Sequence, residues 1–242
     1  MILTSDPRGS LEKTMDTARK TETLKFVLTS SEAGRTVEMQ GSLDLRDPGS
    51  YEMITTSTSV GGPPRERRIG AVVYYEVPEA DRPKMGGKRW MKADLSPSDD
   101  AGRMEINNHS RDVDPFKRIK ALRESEGVAV VGEETVNGIP TVRYTVTLPI
   151  EDHYGLLYDD KFGVESLVTS MVRRGVTEVR TDLWVDGQYR ARRSTVALGE
   201  LSKTTVDYTD YNTPVNIAPP PPGETGDFQE MLQELQDHID GS

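Results

Sequence analysis

The residues best suited to acid–base or metal chemistry are Glu151, Asp152 and His153, followed by Asp159 and Asp160. Carboxylates beside an imidazole can move a proton or hold a cation. The run lacks the central glycine of a calcium loop. The other two histidines, His109 and His238, complete no metal-binding HExxH pattern. The cluster therefore reads as a solvated loop before a helix, with Asp160 helping that helix to start. Asp44 and Asp47 could pair as carboxylates, but a strand end and a turn account for them more simply. Asn108-His109-Ser110 matches a glycosylation sequon and little else. There is no GxSxG, no P-loop and no GxGxxG. The chain has no cysteine, which excludes thiol catalysis, disulfides and Cys-ligated zinc. Neither an enzyme nor a cofactor or metal site is expected.

Two basic groups could grip an acidic head group: Arg65, Arg67 and Arg68, and Arg190, Arg192 and Arg193. A solvated strand face or loop is the preferred reading of each. The chain carries a formal charge of −10, and six of its carboxylates fall between Glu224 and Asp240 with no Lys or Arg among them. Without those six the remainder is about −4. Neither value suits a phosphate backbone, which needs a dense basic face, so nucleic acid is not an expected partner. Purely electrostatic binding to anionic lipid is disfavoured for the same reason. No stretch approaches the eighteen or so apolar residues of a membrane-spanning helix.

Stepping along the chain, the dominant texture is strand. Val37, Met39, Gly41, Leu43 and Leu45 alternate with Glu38, Gln40, Ser42 and Asp44, a period of two. Similar runs are expected at 24–29, 51–59, 67–77, 88–95, 128–134, 139–148, 177–185, 189–198, 202–211 and 214–218. Within 67–77, Ile69, Ala71, Val73, Tyr75 and Val77 would share one face. Asn137-Gly138 between two β-rich runs is a strong hairpin signal. Helices are expected at 10–20, where Leu11, Met15 and Ala18 recur, and at 112–125, where Val113, Phe116, Ile119 and Leu122 form a stripe. A third runs over 163–175 with Val164, Leu167, Val168, Met171 and Val172, and Gly175 suits its end. Pro219 to Pro222 reads as a stiff spacer. A last amphipathic helix carries Phe228, Met231, Leu232, Leu235 and Ile239.

The expected fold is α+β: a curved antiparallel sheet of about eleven strands, a half-barrel, with helices covering its concave face. Residues 1–218 would form that single domain. Residues 219–242 would form the Pro-rich spacer and acidic C-terminal helix. Amphipathic helices over a curved sheet enclose space, and unfilled space becomes an apolar cavity. The inward positions that would line it are Phe26, Leu28, Met39, Leu43, Val73 and Tyr75, with Val142, Tyr144 and Val146. Phe116, Ile119 and Leu122 would form one lid, and Leu167, Val168 and Met171 another. Trp90 and Trp184 read first as core or helix–sheet contacts; the alternative puts Trp90 at the cavity rim, where an indole can meet both water and an apolar ligand. An ordinary filled core is the competing reading for all of them.

The layout resembles the LolA/LolB-like half-barrel, in particular the LppX/LprG group of mycobacterial lipoproteins and their streptomycete relatives. The likeness rests on Val136-Asn137-Gly138-Ile139-Pro140-Thr141 leading into Tyr144-Thr145-Val146, and on Leu183-Trp184-Val185-Asp186-Gly187 followed by Arg192-Arg193. It closes on Tyr208-Thr209-Asp210-Tyr211-Asn212-Thr213-Pro214-Val215, Ala218-Pro219-Pro220 and Asp227-Phe228-Gln229. It covers nearly the whole chain in layout, and its motifs are turn and strand chemistry. The family begins at a lipid-modified cysteine after a signal peptide. This sequence has neither, so a truncated mature form is expected. The resemblance implies an extracytoplasmic, monomeric lipoprotein on the outer face of the cell membrane that holds a lipid or acylated ligand as carrier or chaperone. A second reading is a cell-envelope signalling lipoprotein that modulates a membrane sensor by protein contact, its cavity small or filled.

Overall fold

A computed structural model describes residues 2–46, 50–58, 64–94, 113–157, 161–231 and 233. The expectations placed on Asp47, Asn108, His109, Asp159, Asp160, Leu232, Leu235, His238 and Ile239 lie outside them. In chain order the elements are α1 (Ile2–Ser5), α2 (Pro7–Arg19), β1 (Thr23–Glu32), β2 (Arg35–Asp44), β3 (Ser50–Thr58), β4 (Arg65–Ile69), β5 (Val72–Glu76) and β6 (Trp90–Asp94). There follow α3 (Pro115–Glu124), β7 (Ala129–Val136), β8 (Ile139–Pro149), α4 (Ile150–Leu157), α5 (Lys161–Arg173), β9 (Glu178–Asp186), β10 (Ala191–Leu198), β11 (Ser202–Thr209) and β12 (Thr225–Asp227).

All twelve strands form one sheet, ordered β12-β6-β5-β4-β3-β2-β1-β11-β10-β9-β8-β7. Every pairing is antiparallel except β12 with β6. With its helices gathered over one face, this is the α+β half-barrel the alternation predicts. Asn137 and Gly138 take φ of 49° and 79°, the left-handed pair that a two-residue hairpin needs.

In its elements the structure departs from the sequence reading in four places. The run 67–77 is two strands, because Gly70 (φ 60°) turns the chain and Ile69 pairs back onto Val72. A Gly at the first position of a two-residue turn is a hairpin signal. The supposed loop at Glu151-Asp152-His153 is helix α4, with the two carboxylates in its first turn, where they favour the helix dipole. Residues 214–218 form no strand; the last strand is instead Thr225–Asp227. The stretch read as a spacer lies against the sheet: Pro220 is buried, and Arg67 donates from Nη1 to the Ala218 carbonyl at 3.1 Å.

One face of the sheet carries the core. Leu11 and Met15 of α2, one turn apart, and Ile119 and Leu122 of α3 pack onto Leu24, Phe26, Val142, Tyr144, Leu183, Val206 and Tyr208. These residues are at most 1% exposed. Burying a side chain of this size contributes about 1.5–3 kcal/mol. Caps hold the two helices: Asp6 Oδ1 accepts from the Gly9 amide and Asp114 Oδ1 from the Phe116 amide, each at 2.9 Å. Helices α4 and α5 pack a second cluster on the same face through Ile150, Val168, Val176 and Val179.

Candidate ligand-binding face

The strand registers fix which side chains look inward. Phe26 stands opposite Gly41, Gly41 opposite Met53, Met53 opposite Glu66, Glu66 opposite Tyr75, and Tyr75 opposite Met91. In the neighbouring row Leu24, Leu43, Tyr51, Arg68 and Val73 are matched. Directly opposed residues share a face. Of the sixteen sequence-predicted lining residues, fifteen lie on the concave face or on helices that cover it; Trp90 does not. It pairs with Glu76, the neighbour of inward-facing Tyr75 on β5, which puts the indole on the convex side. The placement of Trp90 at a cavity rim is therefore corrected: an odd step in register turns it outward. There it is 3% exposed, with the Arg67 guanidinium 5.1 Å above its ring.

Phe26, Leu28, Leu43, Ile119, Leu122, Val142, Tyr144 and Val146 belong to the larger core cluster, with Met39 and Phe116 half-buried against it. Val168 and Met171 join the second cluster, beside half-buried Leu167. Val73 and Tyr75 sit farther along the concave face on β5, away from both helical clusters. The helices meet the sheet over β8, β9 and β10. Core side chains here are only 0–2% exposed, so this half of the face is closely packed. A cavity of about 310 Å³ opens to solvent beside it, and Leu11, Leu122 and Val128 from the core cluster are among its lining residues. Arg8, Arg123, Asp6 and Glu126 also line it. Next to this cavity, Arg123 of α3 reaches Glu12 of α2 at 3.7 Å.

Toward β4 and β5 the face becomes polar, which the alternation did not reveal. Glu66 and Arg68 are 8% and 9% exposed. The Tyr51 hydroxyl donates to Glu66, and Arg68 donates from Nε to the Gly70 carbonyl at 2.9 Å. Burial, reinforced by the charge of Glu66, pushes the Tyr51 phenol far above its ordinary range. The basic triplet Arg65, Arg67 and Arg68 is thus split. Arg65 and Arg67 face outward onto Glu52, at 3.7 and 2.6 Å, and only Arg68 faces inward.

The second basic group is occupied on the convex face and the turn beside it. Arg193 forks onto Asp207 at 2.5 and 2.7 Å, and Arg192 meets Asp186 at 2.6 Å. Arg190 and Arg192 stack on Tyr211. Trp184, also outward, donates to Glu134 Oε2 at 2.6 Å and lies under Arg143; that indole N–H bond chiefly holds the Glu134 carboxyl below its usual range. Among the described residues no group of three His, Asp or Glu side chains could hold a metal ion. His153 is buried, edge-on to Tyr154 at 5.4 Å, and burial with Arg118 nearby holds its imidazole down to about 3.

No family model matches the sequence. Two mycobacterial proteins, one of them a lipoprotein, are among those that match the structure. LppX of Mycobacterium tuberculosis aligns over 88% of this chain and 100% of its own, with a TM-score of 0.53 and 14% identity. LprF of Mycobacterium bovis aligns over 88% and 96%, with 0.54 and 11%. The fold is that of LppX and LprF. In sequence, the chain is 28% identical over 172 residues to an uncharacterised 31.2 kDa protein of Streptomyces griseus. It is 26% identical over 196 residues to a candidate lipoprotein of Streptomyces coelicolor. These matches take in 66% and 73% of this chain, but only 55% and 60% of the relatives.

Proposed function

We propose that this chain is an extracytoplasmic lipoprotein that holds acyl chains against the concave face of its half-barrel, as a carrier or chaperone. The observation carrying the reading is the continuity of the apolar face. It runs from Val142 and Tyr144 on β8, through Val206, Phe26 and Leu28, to Met53 on β3. Its cover over β8–β10 is helical, so the cover can part from the face without breaking the sheet. An acyl chain placed there would gain about 0.8 kcal/mol for each methylene removed from water. The filled core then represents the closed state, and uptake requires α2 and α3 to withdraw. That LppX and the S. coelicolor relative are named as lipoproteins supports a place at the outer face of the cell membrane. Native mass spectrometry of protein purified from an actinobacterial envelope should find a stoichiometric acyl lipid. Protein that is lipid-free and also fails to take up a fluorescent fatty acid would count decisively against this reading.

The same near-zero exposure of the core favours a second reading, in which the half-barrel is a filled platform for contact with an envelope protein. Capture of a membrane sensor from envelope extracts, lost when residues 224–240 are removed, would support it.

A further inference from the structure

We propose that β7, the open edge of the sheet, is a docking strand for an extended basic segment of a partner protein. Docking there stands whether or not the core holds a lipid. The other end of the sheet is closed by β12 on β6, whereas among the described residues β7 pairs with β8 alone. The register fixes which of its backbone groups point outward. Val136 and Ile139 flank the two-residue turn and exchange both hydrogen bonds. Bonded and non-bonded pairs alternate from there. Thr135 stands opposite Pro140, which has no N–H to give, and Glu133 stands opposite Val142. The N–H and C=O of Thr135 and Glu133 therefore point away from β8, along the open edge. A row of such groups is a template for one kind of occupant, another extended chain.

Charge selects among extended chains. Residues 124–142 hold Glu124, Glu126, Glu133 and Glu134 and no Lys or Arg. Glu124 is paired with Arg123, and Glu134 with Arg143 and the Trp184 indole. Glu126 and Glu133 are exposed, and among the described residues neither meets a cation. A second copy docked antiparallel about Glu133 or Glu134 would set like charges directly opposite, which is destabilising. Edge charges of this kind deter a strand of the same sign. They attract one carrying Lys or Arg at alternate positions, where a basic side chain meets Glu133. Apolar anchoring is at hand on the same edge. Val131, at the bulge, is 47% exposed. The cavity of about 310 Å³ reaches Val128, the residue before β7, and Leu11, Leu122 and Glu126 also line it. A segment running along β7 and past Ala129 would carry a large apolar side chain over that cavity.

A peptide of about ten residues, enough at roughly 3.3 Å each to span β7 and reach the cavity, should alternate Lys with Thr and end in Trp. Titrated calorimetrically against the whole protein, it should bind. The same peptide N-methylated throughout, equal in charge but without backbone donors, should bind at least tenfold more weakly. So should a peptide with Glu in place of Lys. Thr135→Pro removes an outward N–H that the ladder to β8 does not use, and should weaken binding at least tenfold. Glu133→Lys, an exposed change, should do the same, and it keeps the test standing if thermal melting shows the proline variant unfolded. Equal binding of the methylated peptide would leave charge attraction alone and overturn strand docking. Full binding by the folded variants would overturn β7 as its place. Failure of the unaltered protein to bind the basic peptide would overturn the docking strand outright. A dimer of the unaltered protein that is lost in Thr135→Pro would give the edge to a second copy and overturn the basic partner. None of these outcomes alters the acyl-binding reading, which concerns the concave face.

Discussion

The ring of Phe26 on β1 lies over the bare Cα of Gly41 on β2. A Cβ at Gly41 would stand 2.7 Å from Phe26 Cζ and 2.0 Å from the Glu52 carbonyl oxygen. The second contact is backbone and cannot swing away. Gly41 is therefore a point of close approach among β1, β2 and β3 at the candidate face. Gly41→Ala should cost about 2–3 kcal/mol through overpacking, or roughly 6–10 °C in Tm for a domain of this size. A melting temperature within a degree of the parent would show that the sheet relaxes at no cost.

Sequence made the sheet legible because its inward positions alternate with charged ones over long strands, as from Val37 to Asp44. The same alternation hid the break at Gly70: Ile69, Ala71 and Val73 read as one apolar face in sequence, but the hairpin pairs Ile69 with Val72 and Arg68 with Val73, so Ile69 and Val73 lie on opposite faces. Helix α4 was missed because Glu151, Asp152 and His153 look solvated, whereas His153 faces inward. The rim placement of Trp90 fails because an isolated indole carries no phase; its pairing with Glu76, one step from inward-facing Tyr75, supplies it. Glu66 and Arg68 were invisible as a pair, since charges at alternate positions normally mark the solvent side.

His153 gives the fold a pH dependence. Unfolded, its imidazole titrates near 6.5; folded, burial and Arg118 hold it down to about 3. Between those values the unfolded chain binds a proton that the folded chain refuses. Stability therefore falls as pH drops through that window, by at most about 1.4 kcal/mol per pH unit. His153→Leu should flatten the decline between pH 6.5 and 4 without altering the carboxylate contributions common to both proteins. Parallel Tm–pH curves for parent and variant would remove His153 as the cause.

The C-terminal strap bears on how far the domain extends. Asn212 and Thr213 are bonded to Glu22 and Thr23 at the start of β1, Arg67 holds Ala218, and Thr225–Asp227 pairs with Trp90–Lys92. The strap thus covers part of the convex side and caps the β6 edge, which would otherwise be open to pairing. A chain ending at residue 218 should melt several degrees lower and expose Trp90 to acrylamide quenching. Unchanged melting and quenching would mark residues 219–242 as an independent appendage.

Uptake by withdrawal of α2 and α3 is testable because the helices can be tied where Arg123 meets Glu12 at 3.7 Å, and the chain has no cysteine to interfere. In a Glu12→Cys, Arg123→Cys protein, a reducible bis-methanethiosulfonate linker would join α2 to α3 beside the cavity lined by Leu11 and Leu122. The ion pair itself is half-exposed, and its loss should cost no more than about 1 kcal/mol. Uncross-linked, the variant should take up fluorescent fatty acid like the parent. Cross-linked, it should lose most of that uptake, and reductant should restore it. Full uptake in the cross-linked state would mean that acyl chains reach the concave face without parting these helices, leaving the β2–β5 side as the route in.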